Sequence, residues 1–273
     1  MEQQNTSYLV PVDFTPAAES ATRFAIELAE KSDAEIVLIH VIKSQNEKYK
    51  AELDMTAFVE KNAANYAKLK TKVFEGSLPD EIGDAAKILE TDLIIMGTHC
   101  ITGIGKVFKS IAFKIVEKVP VPLIIVQEET SFKTINKIVM TIDLEKESVQ
   151  IVRMAAIIGK LFNSEIILVA KEQSSSHDRQ RRNINLQVCH KVLDEKNIAH
   201  KVVLVEGKDF VADIFKLCKE EKADMLAATY YQQHVHIFTE SFLETLAYNE
   251  LHIPLLTMEE ESSKSAGFRA MGG

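Results

Sequence analysis

Several classes of protein are excluded by what this chain lacks. Cys100, Cys189 and Cys218 are few, odd in number and widely spaced, so neither a disulfide framework nor a zinc site is indicated. Positive charge is short: 32 Lys and Arg stand against 40 Asp and Glu, a formal net charge of −8. Nucleic-acid binding needs clustered Lys and Arg against phosphates, so no nucleic-acid partner is expected. The basic run of Arg179, Arg181 and Arg182 sits beside Ser and Asp and reads as a solvated loop. No run approaches the ~18 apolar residues of a membrane span, so no membrane partner is expected. The start, MEQQNTSYLVPVDF, lacks the basic and apolar regions of a secretory signal, and the expected location is the cytoplasm. No nucleophile, base and orienting group can be assembled, so the chain reads as a non-enzyme without a catalytic residue.

What is present is the composition of an ordinary soluble protein, 46% hydrophobic and 26% charged. Its 273 residues suit one or two domains. Tyr8–Val12 is a short apolar strand ending at Asp13. Thr15 is a helix N-cap, with Pro16 at the first helical position. Ala21, Phe24, Ala25, Leu28 and Ala29 give the helix that follows, to about Ser32, one apolar face. A strand over 35–41, a polar helix over about 46–65, a strand within 66–74 and a helix to about Glu90 come next. Strands and helices in alternation point to a doubly wound α/β domain around a parallel sheet.

The organising stretch is 92–126. Leu93–Met96 is an unbroken apolar run, the mark of a strand buried on both faces, and Gly97 reads as a sharp turn at its end. A polar loop with Gly103 and Gly105 leads to Ser110, a candidate cap for a helix whose apolar face holds Ile111, Ile115 and Val116. Pro120 and Pro122 close that helix before the strand Leu123–Val126. A strand end, a glycine-bearing loop and a helix amino terminus together suit an anion, on the side of a parallel sheet where ligands bind.

The second half repeats the first. Asp143 lies 130 residues after Asp13, and Glu165 lies 130 after Glu35. Glu206-Gly207 follows Glu75-Gly76 at 131, while Asp224 and Pro254 follow Asp92 and Pro122 at 132. So steady an offset means two copies of one domain. The expected division is 1–130, 131–258 and a disordered tail at 259–273. Leu123–Val126 and Leu255–Met258 are the expected edges through which the two domains pair. A homodimer and a further protein partner are also expected.

VPVDF, LIHV, EGSLPDEI, DLIIMGTH and VPLIIV, in this order and spacing, resemble the landmarks of the universal stress protein family. The second half resembles a diverged copy, so the likeness is to a tandem form. It implies an adenine nucleotide alpha hydrolase-like fold, with two tandem domains and a five-stranded parallel sheet in each. One branch of the family binds ATP through Gly-x2-Gly-x9-Gly-Ser/Thr. Gly97 fits the first position, but Cys100 stands at the second, and Ser110-Ile111 replaces Gly-Ser/Thr. A Cβ at such positions obstructs backbone approach to a phosphate.

The resemblance places Val12, Asp13, Val41, Met96, Gly97, His99, Gly103, Gly105, Ser110 and Ile111 in a candidate nucleotide site, for ATP with Mg in the first domain. Asp13 reads equally as a ribose-binding carboxylate and as a helix-entry cap. His40 reads as a satisfied strand-end histidine. In the second domain, 226–233 replaces the glycine-bearing turn with bulky residues, and no ATP is expected there. His234 and His236 could start a metal site but lack a third ligand, so no metal is expected. Cys100 near a helix start reads as a small packed residue, or as a reactive thiol. Two functions follow: a stress protein acting by ligand-independent interaction, its nucleotide pocket degraded, or an adenine-nucleotide-binding regulator using the first-domain site.

Overall fold

The computed structural model of the chain describes residues 6–98, 114–118, 121–131, 134–230 and 240–259. The first domain runs β1 (Ser7–Pro11), α1 (Pro16–Ser32), β2 (Glu35–Ile42), α2 (Lys48–Asn62), β3 (Leu69–Glu75), α3 (Leu78–Ile88), β4 (Leu93–Thr98), a helical segment at 114–118, and β5 (Leu123–Gln127). The second runs β6 (Lys137–Ile142), α4 (Val152–Phe162), β7 (Glu165–Lys171), α5 (Ser176–Glu195), β8 (His200–Val205), α6 (Phe210–Glu221), β9 (Met225–Tyr230), α7 (Glu240–Ala247) and β10 (Leu255–Glu259).

Local chemistry sets these boundaries. The Thr15 side chain accepts from the Ala18 N–H, Pro16 supplies a fixed φ at the first turn, and Asp33 ends α1 in the left-handed conformation. In the second domain Asp209 caps α6 and Asn163 ends α4 in the same left-handed way.

The strands form one ten-stranded sheet in the order β3-β2-β1-β4-β5-β10-β9-β6-β7-β8. Each half is a five-stranded parallel sheet, the arrangement that the resemblance implies. β5 and β10 join the halves in antiparallel register, Ile124 opposite Leu256 and Ile125 opposite Leu255. Parallel strands covered by helices on both faces are apolar throughout, and Leu123 to Val126, Leu255 and Leu256 are at most 1% exposed. Burying each such side chain contributes roughly 1.5–3 kcal/mol.

Polar ties close the junction. The Gln127 side-chain amide donates to the Asn249 carbonyl at 3.0 Å, and the Thr130 hydroxyl donates to the His252 carbonyl at 2.8 Å. Ser20 on α1 donates to the Glu128 carbonyl at 2.8 Å.

Four sequence expectations are corrected. Gly97 makes no turn: it lies inside β4, paired with Val126, and is not among the residues with positive φ. Likewise 226–230 is strand β9 and not a turn. Arg179, Arg181 and Arg182 lie on helix α5, whose N-cap Ser175 accepts from the Asp178 N–H, and Arg182 is buried. Glu259, assigned to a disordered tail, is the last residue of β10 and pairs with Tyr230. Smaller shifts occur in the first domain, where the third strand starts at Leu69 and the polar helix spans Lys48–Asn62 behind a short 3-10 turn. The remaining tail residues, 260–273, lie outside the described residues.

Candidate functional site

In the first domain the strand order reverses between β1 and β4, so the ends of these strands open a crevice. The register that sets Tyr8 opposite Leu93 carries Val12 and Asp13 to the level of Gly97 and Thr98. Val12 donates its N–H to the Ile39 carbonyl at 2.7 Å and brings the end of β2, with Val41, to the same rim. Val12, Asp13, Val41, Met96 and Gly97 are therefore gathered at one end of the sheet. His99, Cys100, Gly103, Gly105, Ser110 and Ile111 lie outside the described residues, as do His234 and His236.

The Asp13 carboxylate is engaged within its own loop. Its Oδ1 accepts from the Thr15 N–H at 3.2 Å and from the Thr15 hydroxyl at 2.5 Å. It thus orients the residue that caps α1. The intervening Phe14 is held at φ 63°, a conformation costly for a residue with a bulky side chain. Its ring lies 4.5 Å from His40 and 5.9 Å from Phe58, centre to centre. His40 in turn bonds through Nδ1 to the Val12 carbonyl at 2.7 Å, the satisfied role read from sequence.

Gly97 has a packing role that the sequence did not reveal. A Cβ there would lie 2.3 Å from the Ala17 carbonyl oxygen and 2.8 Å from the Ala18 nitrogen. The first turn of α1 rests directly on β4, which only glycine allows. Beside it Thr98 is 1% exposed, and its hydroxyl has no hydrogen-bond partner among the described residues. A buried, unpaired hydroxyl costs about 1–3 kcal/mol, so among the described residues of this rim Thr98 retains hydrogen-bonding capacity. The sequence places Thr98 in the polar loop after Gly97 and outside the candidate site, since a threonine ending an apolar strand carries no signal of its own, whereas it is the last residue of β4.

In the second domain the strand order reverses in the same way between β6 and β9, and described side chains occupy that end of the sheet. Thr229, which takes the place of Gly97, bonds the Ser148 carbonyl at 3.3 Å, and a 3-10 turn at Lys146–Val149 precedes α4. Asp143 accepts from the Glu145 N–H at 2.8 Å. The Asn185 amide donates to the Asp143 and Glu145 carbonyls at 3.0 and 2.8 Å. Arg182 reaches the Glu172 carboxylate at 3.0 Å and the Lys171 carbonyl at 3.5 Å. These two side chains of α5, both nearly inaccessible to solvent, fill the end of the sheet. Tyr230 turns its hydroxyl toward the first domain and donates to Glu117 at 2.7 Å.

The two buried thiols are unreactive by position, since burial pushes both Cys189 and Cys218 up to about 12. No group of three or more His, Cys, Asp or Glu among the described residues is placed to hold a metal. No helix among them is long and apolar enough to cross a membrane.

Comparison with known proteins matches these features. The universal stress protein family model matches residues 6–127. A universal stress protein from Archaeoglobus fulgidus DSM 4304 superposes with a TM-score of 0.77 at 16% identity, covering 94% of this chain and 100% of that one. A functionally unknown protein from Pseudomonas aeruginosa PAO1 superposes at 0.64 with 13% identity, covering 94% of each. A universal stress protein from Archaeoglobus fulgidus solved in complex with dAMP matches 44% of this chain and 96% of its own, at 21% identity and a TM-score of 0.38. No curated protein matches the chain. Residues 6–127 thus match the universal stress protein family, and the fold of that first half is repeated in the second half.

Proposed function

We propose that the protein is a non-catalytic stress-response module acting by contact with other proteins, without need of a bound nucleotide. The observation that carries this reading is that the Asp13 carboxylate at the first strand-end rim, and the Arg182 and Asn185 side chains at the second, are engaged inside the chain. Asp13 is bonded to Thr15, and Arg182 and Asn185 occupy the corresponding end of the second domain. The two domains share one sheet and offer a rigid surface for such contacts. The expected cytoplasmic location belongs to the same proposal.

Thr98 favours a second reading, adenine nucleotide binding in the first domain. The residues present fit such a ligand in part: the rim holds Val41, Met96 and the unpaired Thr98 hydroxyl, while one oxygen of the Asp13 carboxylate already serves Thr15. Bound there, ATP with Mg would supply a ligand-dependent change of surface. Calorimetric titration of the nucleotide-stripped protein with ATP and magnesium separates the readings. The interaction reading expects no saturable heat at millimolar nucleotide. Saturable binding of one nucleotide per chain, weakened by Asp13→Ala and by Thr98→Val, would replace it with the second.

A further inference from the structure

The ten-stranded sheet ends in two edge strands of different character, β3 and β8. β3 carries exposed Lys70, Thr71 and Lys72, the charged edge by which sheets resist pairing with other chains. β8 reads HKVVLV, with Leu204 44% exposed, and carries one lysine. Among the described residues, β8 is bonded to β7 alone.

Which backbone groups face outward follows from the bonds on the inner side. The Ala199 carbonyl accepts from Ile166 N–H, and the Val205 carbonyl accepts from Glu172 N–H. In a parallel ladder one residue directs both its N–H and its C=O to the same side, and its neighbour directs them to the other. The odd-numbered residues of β8 therefore bond β7, and His200, Val202 and Leu204 present their N–H and C=O groups outward.

We propose that this edge pairs with the same edge of a second copy, antiparallel, about a two-fold axis through Val202. A two-fold that keeps the sheet continuous runs perpendicular to it, so residues opposite one another must have the same parity. Centred on Val202, each outward residue meets an outward residue, His200 against Leu204 and Val202 against itself. These are the hydrogen-bonded positions of an antiparallel ladder. Lys201 then faces Val203 of the second copy, so no like charges meet. β3 centred on its middle residue would set Lys72 against Lys72, a repulsive pair. The chain already joins its inner edges by an antiparallel junction, β5 to β10. An isologous contact of this kind closes as a dimer.

Leu204→Pro tests the contact, because it deletes an outward N–H and leaves the β7 ladder and the core untouched. Sedimentation velocity across micromolar to submillimolar protein is expected to show wild type and Leu204→Val dimerising. Leu204→Pro is expected to weaken the dimer about tenfold or more, through both symmetry-related sites, with an unchanged melting temperature. A second readout is amide exchange in wild type, with Val202 and Leu204 protected at high but not low concentration. A wild type monomeric throughout, a Leu204→Pro dimer as tight as wild type, or exchange at Val202 and Leu204 independent of concentration would each overturn the proposal.

Discussion

Gly97→Ala is the substitution by which the packing of the first domain can be judged. The added methyl would lie 2.3 Å from the Ala17 carbonyl oxygen, 2.4 Å from its carbon and 2.8 Å from the Ala18 nitrogen. Comfortable separation for such atoms is about 3.5 Å, so the first turn of α1 must retreat by about 1 Å. That turn has no slack, since Ala17, Ala18 and Ala21 are at most 2% exposed and α1 packs on β1, β4 and β5. Overpacking against rigid backbone costs about 3 kcal/mol. For a chain of this size that is a fall of roughly 6–12 °C in melting temperature.

Gly159→Ala is the control with opposite sign. The nearest atoms to its Cβ would be those of the Ile166 and Ile198 side chains at 3.5 Å, ordinary contact, inside α4. Replacing a helical glycine there should raise stability by about 0.5–1 kcal/mol. Thermal denaturation followed by circular dichroism reads both. A Gly97→Ala protein that melts with wild type, or a Gly159→Ala protein that falls as far, would refute this account of the two glycines.

The remaining predictions concern buried side chains that bond or ionise. Asn249, 2% exposed, donates to the Leu246 and Ile253 carbonyls and accepts from the Leu251 and Ile253 N–H groups. Asn249→Ala strands these groups and should cost about 2–4 kcal/mol in urea denaturation, against little for an exposed asparagine such as Asn65. Cys189 and Cys218, pushed up to about 12 by burial, should resist a thiol reagent at pH 8 until the protein is unfolded; prompt reaction of both in the native state would contradict their burial. Their thiols stay protonated in the folded chain while the unfolded ones ionise near about 8.5. The stability they support is whole below that pH and is lost as pH rises toward about 12. Burial likewise raises Tyr8 from 10.0 to about 12, so its contribution is whole below pH 10 and is lost as pH rises toward about 12.

The order of strands and helices was legible because each element is fixed by neighbours in the chain. Apolar runs, Thr15 with Pro16 and the breaks between them depend on residues a few positions apart. The repeat was legible for the same reason, and β6 begins 130 residues after β1 just as Glu165 follows Glu35. The convergence of Asp13, Val41 and Gly97 also followed, because parallel strands of one domain bring their carboxyl ends to one side.

What only the tertiary structure decided lies between residues far apart in sequence. A glycine after an apolar strand looks the same whether it makes a turn or admits a helix, and it is α1, some 80 residues earlier, that makes Gly97 a packing glycine. Arg182 looked solvated among polar neighbours, yet the end of β7 supplies the Lys171 carbonyl, and the next residue the Glu172 carboxylate, that let it be buried. The free capacity of Thr98 and the contrast between the β3 and β8 edges likewise exist only once the sheet is assembled. Polar satisfaction is a property of the whole neighbourhood, and a residue's identity states what it can bond without stating what it will meet.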